Sequence, residues 1–342
     1  MKEKRATIKD VAAQAGVSIA VVSYVLNDVP NQTIPASTKQ RVFDAVTALD
    51  YTPNHTARRL RKQVGLTFGL VSFWGIVDPS FTRILDGISK TAQENDLSIL
   101  FLKSDIDVTN AKYINAYKNG QIDGIIVLSP HESNSEFIEQ KHLELIVQNK
   151  LPAVIINGST NMEGVSYINL DYYHSTYQCV AYLHAHGHKK IAYLLPDSSE
   201  ANDKNAIKRN LGFLDAMASV HLPVREGYLF HSDQIESVIQ SILNGNGPTA
   251  IVCNKSSYAC EFMKTVLEMG YNTADLVSII AANSEPSDKF LFPNLTALEI
   301  PLEDVGQNAA QLLLDNYEKR KTPATLLFPN TLFLGQTVKE LL

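Results

Sequence analysis

The first 50 residues carry short stretches of helical hydrophobic spacing that are separated by small polar residues. In the run TIKDVAAQAGVSIAVVSYVL, residues 7–26, Thr7 is placed to cap a first helix, with Asp10 reaching back to it. Gly16 supplies a turn, and Ser18 is placed to cap a second helix. The run therefore predicts two short helices joined by a tight turn.

The apolar positions of this run fall on one side of each predicted helix. They are Val11, Ala15, Val22, Val25 and Leu26. The same spacing predicts a third helix over about residues 36–49, which closes a small core. Taken alone, the pattern allows an ordinary helical hairpin or a helix-turn-helix whose exposed second helix enters the major groove of DNA.

From residue 66 the pattern changes to apolar strands that alternate with amphipathic helices. Strand segments such as LTFGLVSF, DGIIVL and TAIVC are each followed by a helical segment. Alternation of this kind predicts parallel sheets that are covered by helices on both faces. Two successive series of these units predict a body of two lobes.

Three segments near the N-terminus, TIKDVAAQAGVS, VVSYVLN and TKQRVFDAVTALDYTPNHTARRLR, carry a resemblance to a known family. They resemble the DNA-binding headpiece of the lactose-repressor (LacI/GalR) family of bacterial transcription regulators. The resemblance implies an all-α helix-turn-helix headpiece plus an α/β periplasmic-binding-protein-like body of two doubly wound lobes. It also implies a ligand cleft between the lobes, at the carboxyl ends of the strands.

The resemblance also suggests a division of the chain into domains. We expect residues 1–50 to form the headpiece, 51–64 a hinge helix or linker, and 65–342 the effector-binding and dimerisation domain. Segments late in the chain look like returns across both lobes. The expected N-lobe is about 65–164 and 293–320, and the expected C-lobe is about 165–292 and 321–342.

Charge is distributed unevenly along the chain. Residues 1–62 hold ten Lys and Arg against five Asp and Glu, a net charge of +5, whereas the remainder holds 20 against 31, a net charge of −11. A basic head on an acidic body indicates that only the head meets a polyanion, here double-stranded operator DNA.

Other motifs narrow the class of protein. The three cysteines are scattered without CxxC spacing, which predicts reduced thiols rather than a zinc site or disulfides. No signal peptide or long apolar run is found, and GxxxxGK[ST], GxSxG and HExxH are absent. The histidine cluster in HAHGHKK is assigned to structure in preference to metal binding. We therefore expect a cytoplasmic protein that is not an enzyme, with no cofactor, metal or membrane contact.

The resemblance carries DNA-binding roles over to particular residues of the headpiece and linker. They are Thr7, Ser18, Ile19, Ala20, Ser23, Tyr24, Asn27, Asn54, Arg58 and Leu60. Ile19, Ala20 and Tyr24 take the base-reading positions. Tyr24 replaces an arginine that is common in the family, so bidentate reading of guanine is not available there. The small polar side chains suit phosphates, which position the protein without specifying sequence.

Leu60 matches the leucine that the family wedges into the minor groove from a hinge helix. Such a wedge unstacks and kinks DNA, at a cost that extra contacts offset. Two hinges are needed side by side, which implies a homodimer on a near-palindromic site.

The resemblance also places effector-binding residues at the ends of several strands. They are Trp74, Asp78, Phe81, Asn157, Arg209, Asn254, Lys255 and Asn283. Arg209 is the leading candidate because it precedes Gly212 and Phe213 as the family arginine precedes its glycine–aromatic pair; the alternative is a solvated helix arginine. The aromatic side chains Trp74 and Phe81 fit either ligand stacking or the core.

Two departures from the family pattern concern the effector. Lys255 stands where many members have an aspartate after asparagine, and Asn283 stands in a segment where they have an aromatic residue and paired acids. A common acceptor for sugar hydroxyls is therefore missing. This departure puts a standard sugar in doubt and admits a phosphorylated or acidic effector.

Together these features predict a sequence-specific DNA-binding transcription regulator, a repressor, controlled by a small-molecule effector such as a sugar or sugar derivative. One alternative is a global regulator that responds to a phosphocarrier-type protein. Another is a solute-binding protein of transport, which would lack the helix-turn-helix and carry an export signal.

Overall fold

The computed structural model describes residues 6–26, 34–49, 65–73, 78–103, 108, 111–129, 135–197, 203–319 and 322–341. Within these ranges the headpiece consists of α1 (Ile8–Ala15), α2 (Ile19–Leu26) and α3 (Ala36–Ala48). No single helix among them is long and apolar enough to span a membrane; α1 and α2 reach that criterion only as a pair bent by 101°.

The ends of α1 and α2 are fixed by the residues that the sequence predicts. The backbone N–H and the hydroxyl of Thr7 both donate to Asp10 Oδ2, at 2.7 Å each. Gly16 ends α1 in the left-handed region, with φ +66°, where a side chain would be strained. The Ser18 hydroxyl accepts from the backbone N–H of Val21 at 3.3 Å and so caps α2. The predicted helix-turn-helix is confirmed.

The headpiece core is small and receives side chains from all three helices. Val11, Val22 and Val42 are completely buried at its centre. Ala12, Ala15, Val25 and Ala45 complete the buried set. Three valines that interlock in this way fix the angle between the helices, and the opposite side of α2 is left exposed.

The described strands form two six-stranded sheets in the remainder of the chain. The first sheet has the strand order β11-β5-β4-β3-β1-β2, and the second has β12-β10-β9-β8-β6-β7. The strands are β1 (Thr67–Ser72), β2 (Ser98–Lys103), β3 (Gly124–Leu128), β4 (Ala153–Ile156), β5 (Ser166–Leu170), β6 (Ile191–Leu194), β7 (Leu229–Phe230), β8 (Ala250–Cys253), β9 (Ser278–Ala281), β10 (Thr296–Glu299), β11 (Thr325–Phe328) and β12 (Thr331–Phe333). Neighbouring strands within these described sheets run parallel, except that β12 is antiparallel to β10.

Helices cover both faces of each sheet. They are α4 (Pro79–Glu94), α5 (Lys112–Lys118), α6 (Ser135–Gln148), α7 (Tyr172–Ala185), α8 (Lys204–Ser219), α9 (Ile235–Leu243), α10 (Ser256–Glu268), α11 (Thr273–Leu276) and α12 (Leu302–Tyr317). Two apolar clusters lie against each sheet, one on either face. This arrangement is the predicted doubly wound α/β body.

Strand pairing corrects the expected boundaries between the lobes. β5 and β11 belong to the first sheet, where Thr325 pairs with Tyr167, although both strands were expected in the C-lobe. β10 belongs to the second sheet, where Thr296 pairs with Ile280, although it was expected in the N-lobe. The expectation was wrong because hydrophobic pattern identifies a strand but does not specify its partner.

The chain passes between the sheets at three places within the described residues. The passages follow β5 at Asp171, β10 at Ile300 and β11 at residues 329–330. Two of them are joined, because the Asn330 side chain donates to the carbonyl oxygen of Asp171 at 2.6 Å. The lobes are therefore connected by a braced set of strands.

Two glycines allow α4 and α12 to pack closely on the first sheet. A Cβ on Gly87 would lie 1.9 Å from the carbonyl oxygen of Glu303, and one on Gly306 would lie 2.1 Å from that of Ile84. At each of these glycines the backbone of one helix lies directly against the backbone of the other, because no side chain stands between them.

We expect Gly87→Ala to destabilise the protein by on the order of 2 kcal/mol, because the added methyl forces the two backbones apart. Urea unfolding followed by circular dichroism measures the change. Ser89→Ala, on the exposed side of the same helix, is the matched control and should stay within about 0.5 kcal/mol of wild type. Equal stability of the two variants would contradict the close contact.

Candidate nucleic-acid interface and interlobe cleft

The exposed side of α2 carries the residues predicted to read DNA. Ile19 is 43% exposed and Tyr24 is 37% exposed, and Ser18 and Ala20 beside them are also exposed. Ser23 on the same helix is half-buried. Ile19 and Tyr24 are not part of the apolar core cluster of the described headpiece, and their exposed surface is available to a partner.

The structure places the predicted DNA contact Thr7 at the start of α1 but does not describe four of the other predicted DNA contacts. Thr7 is exposed and is occupied in capping α1. Asn27, Asn54, Arg58 and Leu60, which include the predicted hinge wedge, lie outside the described residues.

The second candidate site is a cleft of about 350 Å³ between the carboxyl ends of the two sheets. The first lobe contributes residues from the start of α4, and the second contributes the N-terminal turns of α8 and α10. Tyr172, Ile300 and Leu302, which lie at or beside two of the passages between the lobes, also line it. Its lining is Asp78, Pro79, Ser80, Arg83, Tyr172, Asp203, Asn205, Ala206, Arg209, Lys255, Ser257, Asn283, Ser284, Glu285, Pro286, Ile300 and Leu302.

Two helices present an N-cap aspartate to this cleft, one from each lobe. Asp78 Oδ1 accepts from the backbone N–H of Ser80 at 2.7 Å, at the start of α4. Asp203 Oδ1 accepts from the backbone N–H groups of Asn205 at 2.6 Å and Ala206 at 3.2 Å, at the start of α8. The caps hold both carboxylates in fixed orientations, so the cleft has preorganised hydrogen-bond acceptors on both walls.

Arg209 supplies a buried cation to the same cleft. It is only 3% exposed, its Cζ lies 4.8 Å from the ring centroid of Tyr172, and its Nη1 donates to Asn254 Oδ1 at 3.5 Å. Its Nε has no hydrogen-bond partner among the described residues. Burial raises the pKa of Tyr172, and the positive charge of Arg209 opposes that shift. A buried guanidinium with an unused donor favours a ligand that carries an acceptor.

Lys255 and Asn283 lie where two strands of the second sheet end. Asn283 Oδ1 accepts from the backbone N–H of Ser256 at 2.8 Å and so fixes the start of α10. Burial and the charge of Asp288 raise the pKa of Glu285, whereas Lys255 lowers it. Charges of both signs therefore line this part of the cleft.

Three predicted effector contacts do not line the cleft. Phe81 is 4% exposed and packs edge-to-face on Phe101, with 5.8 Å between ring centroids, so it belongs to the core. Asn157 and Asn254 are fully buried. Asn157 donates to Asn205 Oδ1 at 3.0 Å, and Asn254 donates to the hydroxyl of Tyr193. Both asparagines support neighbouring side chains that line the cleft. Trp74 lies outside the described residues.

Sequence reasoning missed eight polar or aromatic residues of the lining. They are Ser80, Arg83, Tyr172, Asp203, Asn205, Ser257, Ser284 and Glu285. Asp203 carried a usable signal, since it precedes an amphipathic helix that follows a buried strand, as Asp78 does. The others carried none, because nothing local distinguishes a polar residue in a cleft from one in solvent.

Comparison with known proteins supports the same two parts. Residues 7–54 match the family described as bacterial regulatory proteins, lacI family, and residues 180–338 match the periplasmic binding protein-like domain. The HTH-type transcriptional repressor PurR of Mannheimia succiniciproducens is 27% identical over 343 residues, 98% of this chain and 99% of that protein.

Two solved structures share the fold over nearly the whole chain. The lac repressor dimer bound to operator and the anti-inducer ONPF has a TM-score of 0.64 at 20% identity, with 98% of this chain and 100% of that chain covered. The transcriptional regulator CelR–cellobiose complex has a TM-score of 0.63 at 19% identity, with 97% and 100% covered.

A helix-turn-helix headpiece on a two-lobed body with a polar cleft defines a DNA-binding transcription regulator. The chain has a lacI-family DNA-binding domain at residues 7–54 and a periplasmic binding protein-like domain at residues 180–338.

We expect Glu285→Gln to stabilise the protein slightly at pH 7, by less than about 1 kcal/mol, because the carboxyl is partly exposed. Since the pKa of Glu285 is raised on folding, ionisation costs stability above that pKa, and the cost disappears below the unfolded value of 4.5. Thermal unfolding from pH 4 to pH 8 should therefore show that the stability of Glu285→Gln relative to wild type increases with pH. Glu268→Gln, at an exposed site on α10, is the control, and a gain of the same size there would contradict the assignment.

Proposed function

We propose that the protein is a homodimeric repressor that binds near-palindromic operator DNA, and that a sugar or sugar derivative in the interlobe cleft controls its affinity. The observation that carries the effector part of the proposal is the polar lining of the cleft on both walls. Asp78 and Asp203 supply acceptors, while Asn205 and Arg209 supply donors. A ligand with several hydroxyl groups uses both kinds of partner.

The size and charge of the cleft narrow the effector class. A volume of about 350 Å³ lies at the small end of the usual range for ligand sites, roughly 300–1,000 Å³. Lys255 extends the class to sugars that carry a carboxylate or phosphate group. CelR, which shares this fold, forms a complex with the sugar cellobiose, and that similarity supports the same class.

The proposed mechanism is closure of the lobes around the effector. In the division we propose, residues 1–50 form the headpiece, 51–64 the hinge and 65–342 the body. Closure changes the relation of the two first lobes across a dimer and so favours or disfavours paired hinges on operator. An effector shifts this equilibrium only by its difference in affinity for the two states, on the order of 1–3 kcal/mol.

For DNA recognition we propose that Ile19, Ala20 and Tyr24 contact base edges. Thr7, Ser18 and Ser23 contact phosphates, together with Asn27 from outside the described residues. We retain Asn54, Arg58 and Leu60 as the proposed hinge contacts. The exposure of Ile19, Ala20 and Tyr24 supports the first part, and the apolar side chains of Ile19 and Ala20 are suited to contact with thymine methyl groups.

Thermal-shift screening of the full chain tests the effector class. We expect one or more members of a panel of sugars, sugar phosphates, nucleosides and organic acids to stabilise wild type by ~2.7 kcal/mol at 100 times the dissociation constant. Arg209→Met should abolish that shift, because it removes the buried donor while roughly keeping its volume. Lys208→Met, on the same helix, should retain it.

If no compound of the panel raises the unfolding temperature of the folded wild-type protein, that result would contradict a small-molecule effector of these classes. It would favour the phosphocarrier-type protein partner, which no observation on the described residues favours at present.

Helix α2 has its own test. We expect Tyr24→Arg to shift half-site preference towards guanine in selection from a random DNA pool, since arginine can pair with both acceptors on the guanine edge. Gln40→Arg on α3 adds the same charge elsewhere and should leave the selected sequence unchanged. An unaltered consensus for Tyr24→Arg would overturn the assignment of this position.

A further inference from the structure

Lys204, the first residue of α8 in the second lobe, reaches into a polar pocket of the first lobe. Its Nζ donates to the carbonyl oxygen of Asn157 at 2.7 Å, to Ser159 Oγ at 3.0 Å and to Ser129 Oγ at 3.3 Å. Its side chain is only 11% exposed. All three acceptors follow strands β3 and β4, so the ammonium lies at the carboxyl edge of the first sheet.

The pocket holds a carboxylate that the first lobe already supports. Glu139 on α6 is 5% exposed, and its Oε2 lies 3.9 Å from Lys204 Nζ. The same carboxylate accepts from Ser129 Oγ at 2.6 Å and from the backbone N–H groups of Ser159 at 2.9 Å and Thr160 at 3.3 Å. The anion is therefore built into one lobe, while its cation comes from the other.

A close backbone approach shapes this pocket. A Cβ on Gly158 would lie 3.0 Å from Glu139 Oε1 and 3.1 Å from the ring of Tyr167. A larger residue would require the Glu139 carboxylate or the Tyr167 ring to shift by a few tenths of an ångström. The loop therefore packs tightly against the carboxylate at Gly158.

A second contact between the lobes lies beside the first. Asn205, which follows Lys204 in the chain, accepts from the Asn157 side chain at 3.0 Å. Both Lys204 and Asn205 belong to the first turn of α8, the helix that also carries Asp203 and Arg209 to the cleft. Movement of this turn away from the first lobe would break both contacts and alter one wall of the cleft.

We propose that Lys204 and Glu139 form an interlobe latch, an ion pair that holds the lobes in the arrangement of this structure, here called closed. The latch makes Lys204 a positioning residue for the cleft. A buried ion pair adds little net stability, because desolvation offsets its attraction, but it strongly favours the one geometry in which both charges have partners. When the lobes separate, the ammonium regains water. The latch therefore sets the balance between closed and open arrangements rather than the stability of either lobe.

The latch affects ligand binding because it sets the fraction of the protein whose lobes are closed. The apparent affinity of a ligand for the closed arrangement falls in proportion to the fraction of protein that is closed. Lys204 thus controls effector affinity without contacting the effector. This last step rests on the proposed function; the latch itself does not.

The test measures the distance between the lobes in the full chain without added ligand. Spin labels at Gln93→Cys and Gln240→Cys, both exposed and one in each lobe, report that distance by pulsed electron paramagnetic resonance. The background carries Cys260→Ser, because this half-buried thiol is the most accessible of the three native cysteines. We expect a narrow distribution for the latched protein.

Lys204→Met should raise the ratio of open to closed protein on the order of tenfold or more, because it leaves Glu139 buried without its cation. Glu139→Gln keeps an acceptor for the loop N–H groups and should give a similar shift, and the double variant should add little to either. Lys208→Met should leave the distribution unchanged.

A wild-type distribution in Lys204→Met would overturn the latch, as would fully additive shifts in the double variant. A common fall in melting temperature with unchanged distances would indicate a purely structural role and also overturn it. These readouts need no effector, so failure of the effector screen leaves the test of the latch intact.

Discussion

The carboxyl ends of two parallel sheets face each other, and the chemistry of the body depends on that constraint. Most of the parallel strands deliver a loop and a helix N-terminus to the same edge, so polar groups converge there from segments far apart in sequence. Three passages between the sheets, two of them joined by the Asn330–Asp171 hydrogen bond, hold the edges opposite one another. Asp78 and Asp203, separated by more than one hundred residues, thereby line one cleft.

The cleft carries charges that would be costly anywhere else in the body. Arg209 is almost fully buried and its Nε has no partner among the described residues, and Glu285 has a raised pKa because of burial and a neighbouring acid. A site arranged for stability alone would pair or remove these groups. Their retention beside preorganised carboxylates is typical of a site whose remaining partner is a ligand.

The sequence predicted features that depend on neighbouring residues, such as helix ends. It did not predict features that depend on pairing between distant segments, such as which sheet a strand joins. Thr7, Gly16 and Ser18 act within one or two helical turns, so the helix-turn-helix was readable. The lobe membership of β5, β10 and β11 depends on long-range pairing, and the expected boundaries were wrong. Phe81 and Arg209 show the same limit, since apolar or charged character alone does not say which way a helix residue points. One became core and the other lines the cleft.

Lys204 and Arg209 illustrate how one helix serves two requirements. Both cations lie on α8, yet one turns towards Glu139 in the opposite lobe and the other towards the cleft. The Asp203 cap fixes the start of the helix, so a displacement of the helix as a whole moves both cations together. In the proposed mechanism, a ligand that draws Arg209 also draws the turn that carries Lys204. The proposed effector contact and the proposed lobe closure would then be coupled through a single helix, and no chain of intermediate residues is required.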